Sequence, residues 1–395
     1  MNKRIYLDNA ATTKISDEVF EYMLPYLKEA YGNPSSIYDL GEENKQTLLT
    51  ARKSIARVLE CEPQNIYFTS GGTESDNWAL IGTAESRSEL GRHIITTGIE
   101  HHAVVNTCRY LENRGYEVTY LKVDEQGRVD PLRLQRALRK DTILVSIMTA
   151  NNEIGTIQPI EAIGRILKNH PALFHTDAVQ AFGHIPVLPE KWNVDLLSAS
   201  GHKFHGPKGS GFLYVRDGIK LPPFLHGGKQ ERGLRAGTEN VAAIAGMGKA
   251  AEIAGRAMRN RIQREASLRD YMIHRIETEI PFCRLNGPRK NRLSNNVNVS
   301  FEFVDGETIV ILLDMEGICC SSGSACSAGQ AVSSHVLKEI GLSDEIARGA
   351  IRFTLNEETT REDVDYTVER LKEVLDKNRK MNPLYLSFSQ MNQKR

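Results

Sequence analysis

The sequence predicts an α/β fold: a large domain on a mainly parallel seven-stranded sheet, joined to a smaller α/β C-terminal domain. Three observations lead there. Seven short β-like runs, several apolar on both faces, follow one another from about residue 65. Most are separated by stretches long enough for a crossover helix, and beyond about residue 280 the pattern changes character. The runs are 65–70, 93–99, 118–122, 142–148, 172–177, 196–201 and 211–215, with helical stretches at 104–113 and 131–139 among them. Strands apolar on both faces need cover on both sides, as in a parallel sheet between helical layers. A long helical stretch over 240–279 reads as a connector. After it come strands at 282–285, 295–303 and 351–355, and helices at 306–315, 334–340 and 360–376. The expected division is 15–260 for the large domain, and 1–14 with 261–395 for the small one.

Composition narrows the function. Lysine plus arginine equal aspartate plus glutamate at 50 each, so no charge excess points to direct nucleic-acid binding. No apolar run approaches the ~18 residues of a membrane span, and the start "MNKRIYLDNAATT" has no hydrophobic signal core. A cytoplasmic location is the expectation. The 6 cysteines contain no CxxC pair, which disfavours a disulfide framework, a zinc knuckle or a cluster ligand set.

In a sheet of this kind ligands bind beyond the carboxyl ends of the strands. "TSGGTESDN" follows the first run and opens a helix, so Gly72 and Thr73 stand where backbone N–H groups and the helix dipole attract phosphate; an ordinary strand-to-helix turn is the plain alternative. Asp177 ends the run 172–177, with Gln180 three residues on. It could cap a helix or pair with a buried cationic nitrogen. Lys203, in "SASGHKFHGPKG", ends the next unit in a matching position. Lysine and aspartate at neighbouring strand ends, beside a phosphate turn, fit pyridoxal 5'-phosphate: the amine anchors the aldehyde and the carboxylate keeps the pyridine nitrogen protonated. A metal bound by His202 and His205 is the weaker reading, because Lys203 lies between them and the HxxH spacing suits one helix face poorly. His101, in "EHHAV", is either a helix-start residue or a ring stacked on the cofactor. "SSGSACSAG" is a small, polar, glycine-containing loop that makes Cys326 the accessible thiol, whereas Cys319 and Cys320 extend an apolar run and read as buried. Arg352, between Ile351 and Phe353, needs a partner, either a substrate carboxylate or an internal acid.

In this order the motifs closely resemble the cysteine desulfurases of the NifS/IscS type, within the class-V aminotransferases. They are "YLDNAATT", "YGNPSS", "TSGGTESDN", "EHHAV", "NNEIGTIQPI", "HTDAVQ", "SGHKFHGPKG", "LRAGTEN", "SSGSACS", "SHVL" and "IRFTL", covering nearly the whole chain. The resemblance implies a fold type I pyridoxal phosphate-dependent transferase, a homodimer with the sites near the subunit interface. It implies conversion of L-cysteine to L-alanine, with the sulfur held as a persulfide on Cys326 and passed to an acceptor protein such as an iron–sulfur scaffold. By the same resemblance Lys203 anchors the cofactor, Asp177 faces its ring nitrogen and His101 stacks on the ring. Asn152 and Gln180 contact the ring's oxygen substituent. Thr73, Ser200 and His202 hold phosphate, as does Thr238 from the partner subunit. Arg352, helped by Asn152, takes the substrate carboxylate. Tyr38 and Lys229 depart from the family pattern, where histidine and glycine are usual. Selenocysteine lyase, aminotransferase and a non-catalytic sulfur-carrier platform are the competing readings. The last stretch, "KMNPLYLSFSQMNQKR", is either a tail packed on its own protein or one that docks a partner.

Overall fold

A computed structural model describes residues 4–322 and 333–387. The chain begins with β1 (Ile5–Tyr6), α1 (Asp17–Lys28) and α2 (Asp39–Leu59). Strands and helices then alternate: β2 (Ile66–Thr69), α3 (Gly72–Ser86), β3 (His93–Thr97), α4 (His102–Glu112), β4 (Glu117–Leu121) and α5 (Pro131–Ala137). The series closes with β5 (Thr142–Ser146), α6 (Ile160–Leu167), β6 (Leu173–Asp177), β7 (Leu196–Ser200) and β8 (Gly211–Val215).

These strands form a seven-stranded sheet in the order β2-β8-β7-β6-β5-β3-β4. Every pairing is parallel except those of β8, which runs antiparallel to both β2 and β7. β3, β5, β6, β7 and β8 are buried along their whole length, which is why their sequences lack an alternating polar face.

The expected connector is one continuous helix, α7 (Val241–Glu279). It packs along α1 and α2, neither of which the sequence reading anticipated; α1 carries Pro25 in its interior, a residue that ordinarily signals a helix end. At the α2–α7 crossing a Cβ on Gly248 would lie 2.6 Å from the Cβ of Ala51, so only glycine permits this approach.

Beyond α7 lie β9 (Cys283–Leu285), β10 (Asn296–Phe301), α8 (Gly306–Met315), β11 (Ile318–Cys319) and β12 (Ser321–Ser322). They are followed by α9 (His335–Glu339), α10 (Asp344–Arg348), β13 (Ala350–Thr354) and α11 (Arg361–Arg379). A four-stranded antiparallel sheet runs β12-β13-β10-β9, and β1 pairs in parallel with β11. Ile5 and Leu7 from the N-terminus share an apolar cluster with Ile276, Val299, Leu313, Phe353 and Leu371. Val336 and Leu337 of α9 pack instead into the cluster of the large sheet. The C-terminal stretch lies on its own protein as far as it is described, with Tyr385 against Phe282 and Phe303, while Met381, Leu384 and Leu386 remain exposed.

Candidate active site

β6 and β7 lie side by side in register, with Asp177 opposite Ser198, so their carboxyl ends open on the same space. Ser200 ends β7, and a tight turn over 201–203 carries His202 and Lys203 to the rim. A cavity of ≈ 320 Å³ lies there, bounded also by the start of α3, the start of α4 and β13. Among its lining residues are Gly72, Thr73, His101, Asn152, Asp177, Gln180, Ser200, His202, Lys203 and Arg352. Residues 280 positions apart in sequence, Gly72 and Arg352, thus meet at one site.

Lys203 is seated by the N-terminal segment: its Nζ donates to the carbonyls of Ala10 and Ala11, both at 2.7 Å. Gln180 Nε2 also donates to Ala10 O, at 2.9 Å. Asp177 is buried and accepts the Val179 N–H at 2.8 Å. Burial pushes its carboxyl up to about 6, while that hydrogen bond and Lys203 pull the other way. His101 caps α4. The Ala103 N–H, which can only donate, reaches its Nδ1 at 3.1 Å, so the neutral ring carries its proton on Nε2. Burial, with Lys203 and two neighbouring histidines, pushes this imidazole down to about 4 and keeps it neutral. His202 is lowered to about 4 by burial and Lys203, and its Nδ1 lies 3.1 Å from Thr12 Oγ1.

Arg352 is buried on β13, its Nη2 on Asp8 Oδ1 at 2.9 Å and its Nη1 on Asn152 O at 3.0 Å. Among the described residues its Nε is buried with no hydrogen-bond partner. Of the two partners read from the sequence, the structure shows the internal acid, Asp8.

Sequence reasoning missed three acids here: Glu100, Asp76 and Glu153, the last accepting from the Ser334 hydroxyl. Glu100 lines the cavity from the loop after β3, accepting from Thr97 Oγ1 at 2.7 Å and from the Met148 N–H at 3.0 Å. Burial outweighs these bonds and pushes its carboxyl up to about 8. Asp76, on α3, is also buried against the cavity, and burial with nearby Asp177 raises its carboxyl well above the usual range. The signal for Glu100 was the one used for Asp177, a lone acid ending an apolar run. Asp76 had none.

Thr238 is exposed and does not line this cavity. Cys326 lies outside the described residues. Cys320 is buried, and burial raises its thiol; Cys319 is only half-buried, which departs from the expected pair of buried cysteines. Among the described residues no group of three His, Cys, Asp or Glu side chains could hold a metal ion, and His205 turns away from His202 towards Lys14 and Glu357. No helix among the described residues is long and apolar enough to cross a membrane.

The donor set suits pyridoxal phosphate. It offers one lysine amine, a buried carboxylate beside it, and a helix start kept free of side chain where a Cβ on Gly72 would lie 2.6 Å from Val179 Cγ2. The family model of the class-V aminotransferases matches residues 5–367. The chain belongs to this family. Among class-V aminotransferases it is 53% identical over 383 residues to the cysteine desulfurase IscS of Dictyoglomus turgidum, covering 97% of each chain. A solved NifS-like protein superposes with TM-score 0.90 at 42% identity, covering 95% of this chain and 100% of the other. A structure described as SspA in complex with cysteine superposes with TM-score 0.79 at 38% identity, covering 90% and 99%. This class-V aminotransferase therefore stands among the cysteine desulfurases of its family.

Proposed function

We propose that the chain is a pyridoxal 5'-phosphate-dependent cysteine desulfurase that converts L-cysteine to L-alanine and holds the sulfur on Cys326. The observation that carries the reading is the convergence of Lys203, Asp177 and Arg352 on one cavity. When bound, pyridoxal phosphate supplies an electron sink that makes the substrate Cα–H acidic. Lys203 would anchor it, and its Nζ would take the substrate Cα proton. Asp177, as the anion, would hold the ring nitrogen protonated, while burial pushes the carboxyls of Asp76 and Glu100 up. His101, lining the cavity, would cover the ring, with its proton on Nε2. Thr73, Ser200 and His202 hold the phosphate beside the start of α3, with Thr238 added from the second subunit of a homodimer. Asn152 and Gln180 meet the ring oxygen.

Arg352, which lines the cavity from β13, would take the substrate carboxylate. The Cys326 thiolate attacks the substrate sulfur. As the S–S bond forms the C–S bond breaks, its electron pair stays on the β-carbon, and protonation there leads to L-alanine. The persulfide then passes to an acceptor protein such as an iron–sulfur scaffold. The division into 15–260 and 1–14 with 261–395 belongs to this proposal, the smaller part carrying both Arg352 and Cys326.

The deciding experiment is L-cysteine turnover with mass detection on Cys326. A gain of one sulfur there, absent in Cys326→Ala, supports the reading. Alanine formation at the native rate by Cys326→Ala would overturn it.

A further inference from the structure

His205 lies outside the chemistry just described, yet its surroundings are more specific than a surface histidine requires. It has φ +65°, a left-handed conformation that few residues with a side chain adopt, histidine being among the more tolerant. Its Nδ1 lies 3.0 Å from the Lys14 carbonyl, which can only accept, so Nδ1 carries a proton. Its Nε2 faces the Glu357 carboxylate at 3.4 Å, an ion-pair distance. Carbonyl on one side and carboxylate on the other favour an imidazolium held to Glu357 by charge, since at 3.4 Å Glu357 Oε2 makes no hydrogen bond among the described residues.

The segment it grips is the one that seats the lysine. The Thr13 N–H and hydroxyl both donate to His202 O, at 2.9 and 3.0 Å. The His205 N–H donates to Thr13 Oγ1 at 2.8 Å, and the Ser16 N–H reaches His205 O at 3.3 Å. Just upstream, Ala10 and Ala11 give their carbonyls to Lys203 Nζ. From behind, His184 Nε2 donates to the Lys203 carbonyl at 2.8 Å. Glu357 lies in the loop between β13 and α11, and that loop is tied to α7 by Arg264, which donates to the Glu357 carbonyl at 2.6 Å.

We propose that His205, as an imidazolium between Lys14 and Glu357, is a positioning residue that locks the N-terminal segment onto the turn bearing Lys203. The inference rests on the desulfurase reading for what Lys203 does. The charged and titratable groups facing His205 are Glu357 from the C-terminal loop, Arg261 and Glu265 from α7, and His184 from the segment after β6. Burial and Arg261 oppose its charge, but Glu357 and the Lys14 carbonyl outweigh them and hold it above the ordinary histidine range. Its folded-state value being raised, the clamp is present at low pH and is lost as pH rises through that value. The neutral ring then turns a lone pair toward the Glu357 carboxylate.

The test uses His205→Asn, because asparagine tolerates a left-handed backbone, and Glu357→Gln, which removes the charge from the other side. Each is loaded with pyridoxal phosphate, and the visible band is titrated with pH alongside turnover of L-cysteine. In each single variant the pH at which the band changes should move by about one unit, and kcat/KM should fall about tenfold at neutral pH, the scale of one charge-assisted contact. The double variant should match the singles rather than sum them, since both remove one interaction. Titrations superimposable on the native protein, or effects that add in the double variant, would overturn the proposal. A native protein with neither visible band nor turnover would overturn the desulfurase reading instead.

Discussion

The cavity floor and the Glu357–His205 pair behind it treat buried charge in opposite ways. On the floor, Asp76, Glu100 and Asp177 are all pushed up and His101 and His202 down, so burial drives most of the groups toward neutrality. In that pair, Glu357 is held down to about 2 although burial would raise it, because His205 and Arg261 stand beside it. Burial penalises charge in both places, and the proximity of an opposite charge decides the outcome. His202 and His205 show it at closest range: three positions apart, one faces a threonine hydroxyl and a lysine cation, the other a carboxylate.

The comparison breaks hardest at Asp177, the floor acid that is asked to ionise. Asp177→Asn should lower kcat by ~10²–10³-fold, as for loss of one preorganised electrostatic partner, measured with cofactor saturating. The same residue gives a pH dependence. Raised to about 6, Asp177 takes up a proton in the cofactor-free protein as pH falls through that value, and the neutral acid cannot pair with a pyridinium. Cofactor affinity should therefore weaken below about pH 6, by up to ~10-fold per unit; titrating the visible band against added pyridoxal phosphate at stepped pH checks this.

Glu265 sharpens the contrast from the side of that pair. Its nearest cation, Arg261 Nε, is 4.0 Å away and its hydrogen bond comes from the Ser294 hydroxyl, so burial wins and raises it to about 7. A carboxyl raised in the fold supports stability at low pH and loses that support as pH climbs through 7. Glu265→Gln should remove this loss, leaving the variant ~1–3 kcal/mol better off relative to the native protein at pH 8 than at pH 5. Denaturant unfolding at both values measures it.

The sheet and the anchor residues were legible in the sequence because strands buried on both faces leave long apolar runs, and chemistry at a strand end stands out against them. The reversed direction of β8 was not, since apolarity says nothing about which way a strand runs. Nor were the carbonyls of Ala10 and Ala11 that seat Lys203, or Asp8 on Arg352: these pairs lie 190 or more positions apart, and backbone acceptors have no residue signature. His205 looked like half of a metal pair for the same reason, because its true partners are Lys14 and Glu357.

α7 links the two regions in another sense. Its 39 residues extend about 58 Å at the rise of an α-helix. Its first half buries Ile244, Met247, Ala250 and Ala251 in the large sheet's core, and its last turns put Met272 and Ile276 into the other core. Between them Arg261, Glu265 and Arg269 form a buried stripe, four residues apart, on one face. The shaft is thus gripped by hydrocarbon at its ends and by ions in its middle. In that middle stretch Arg261 donates to the Gly183 carbonyl and Arg269 to the Leu293 carbonyl, so the helix is fastened between its two apolar ends to loops from both sides.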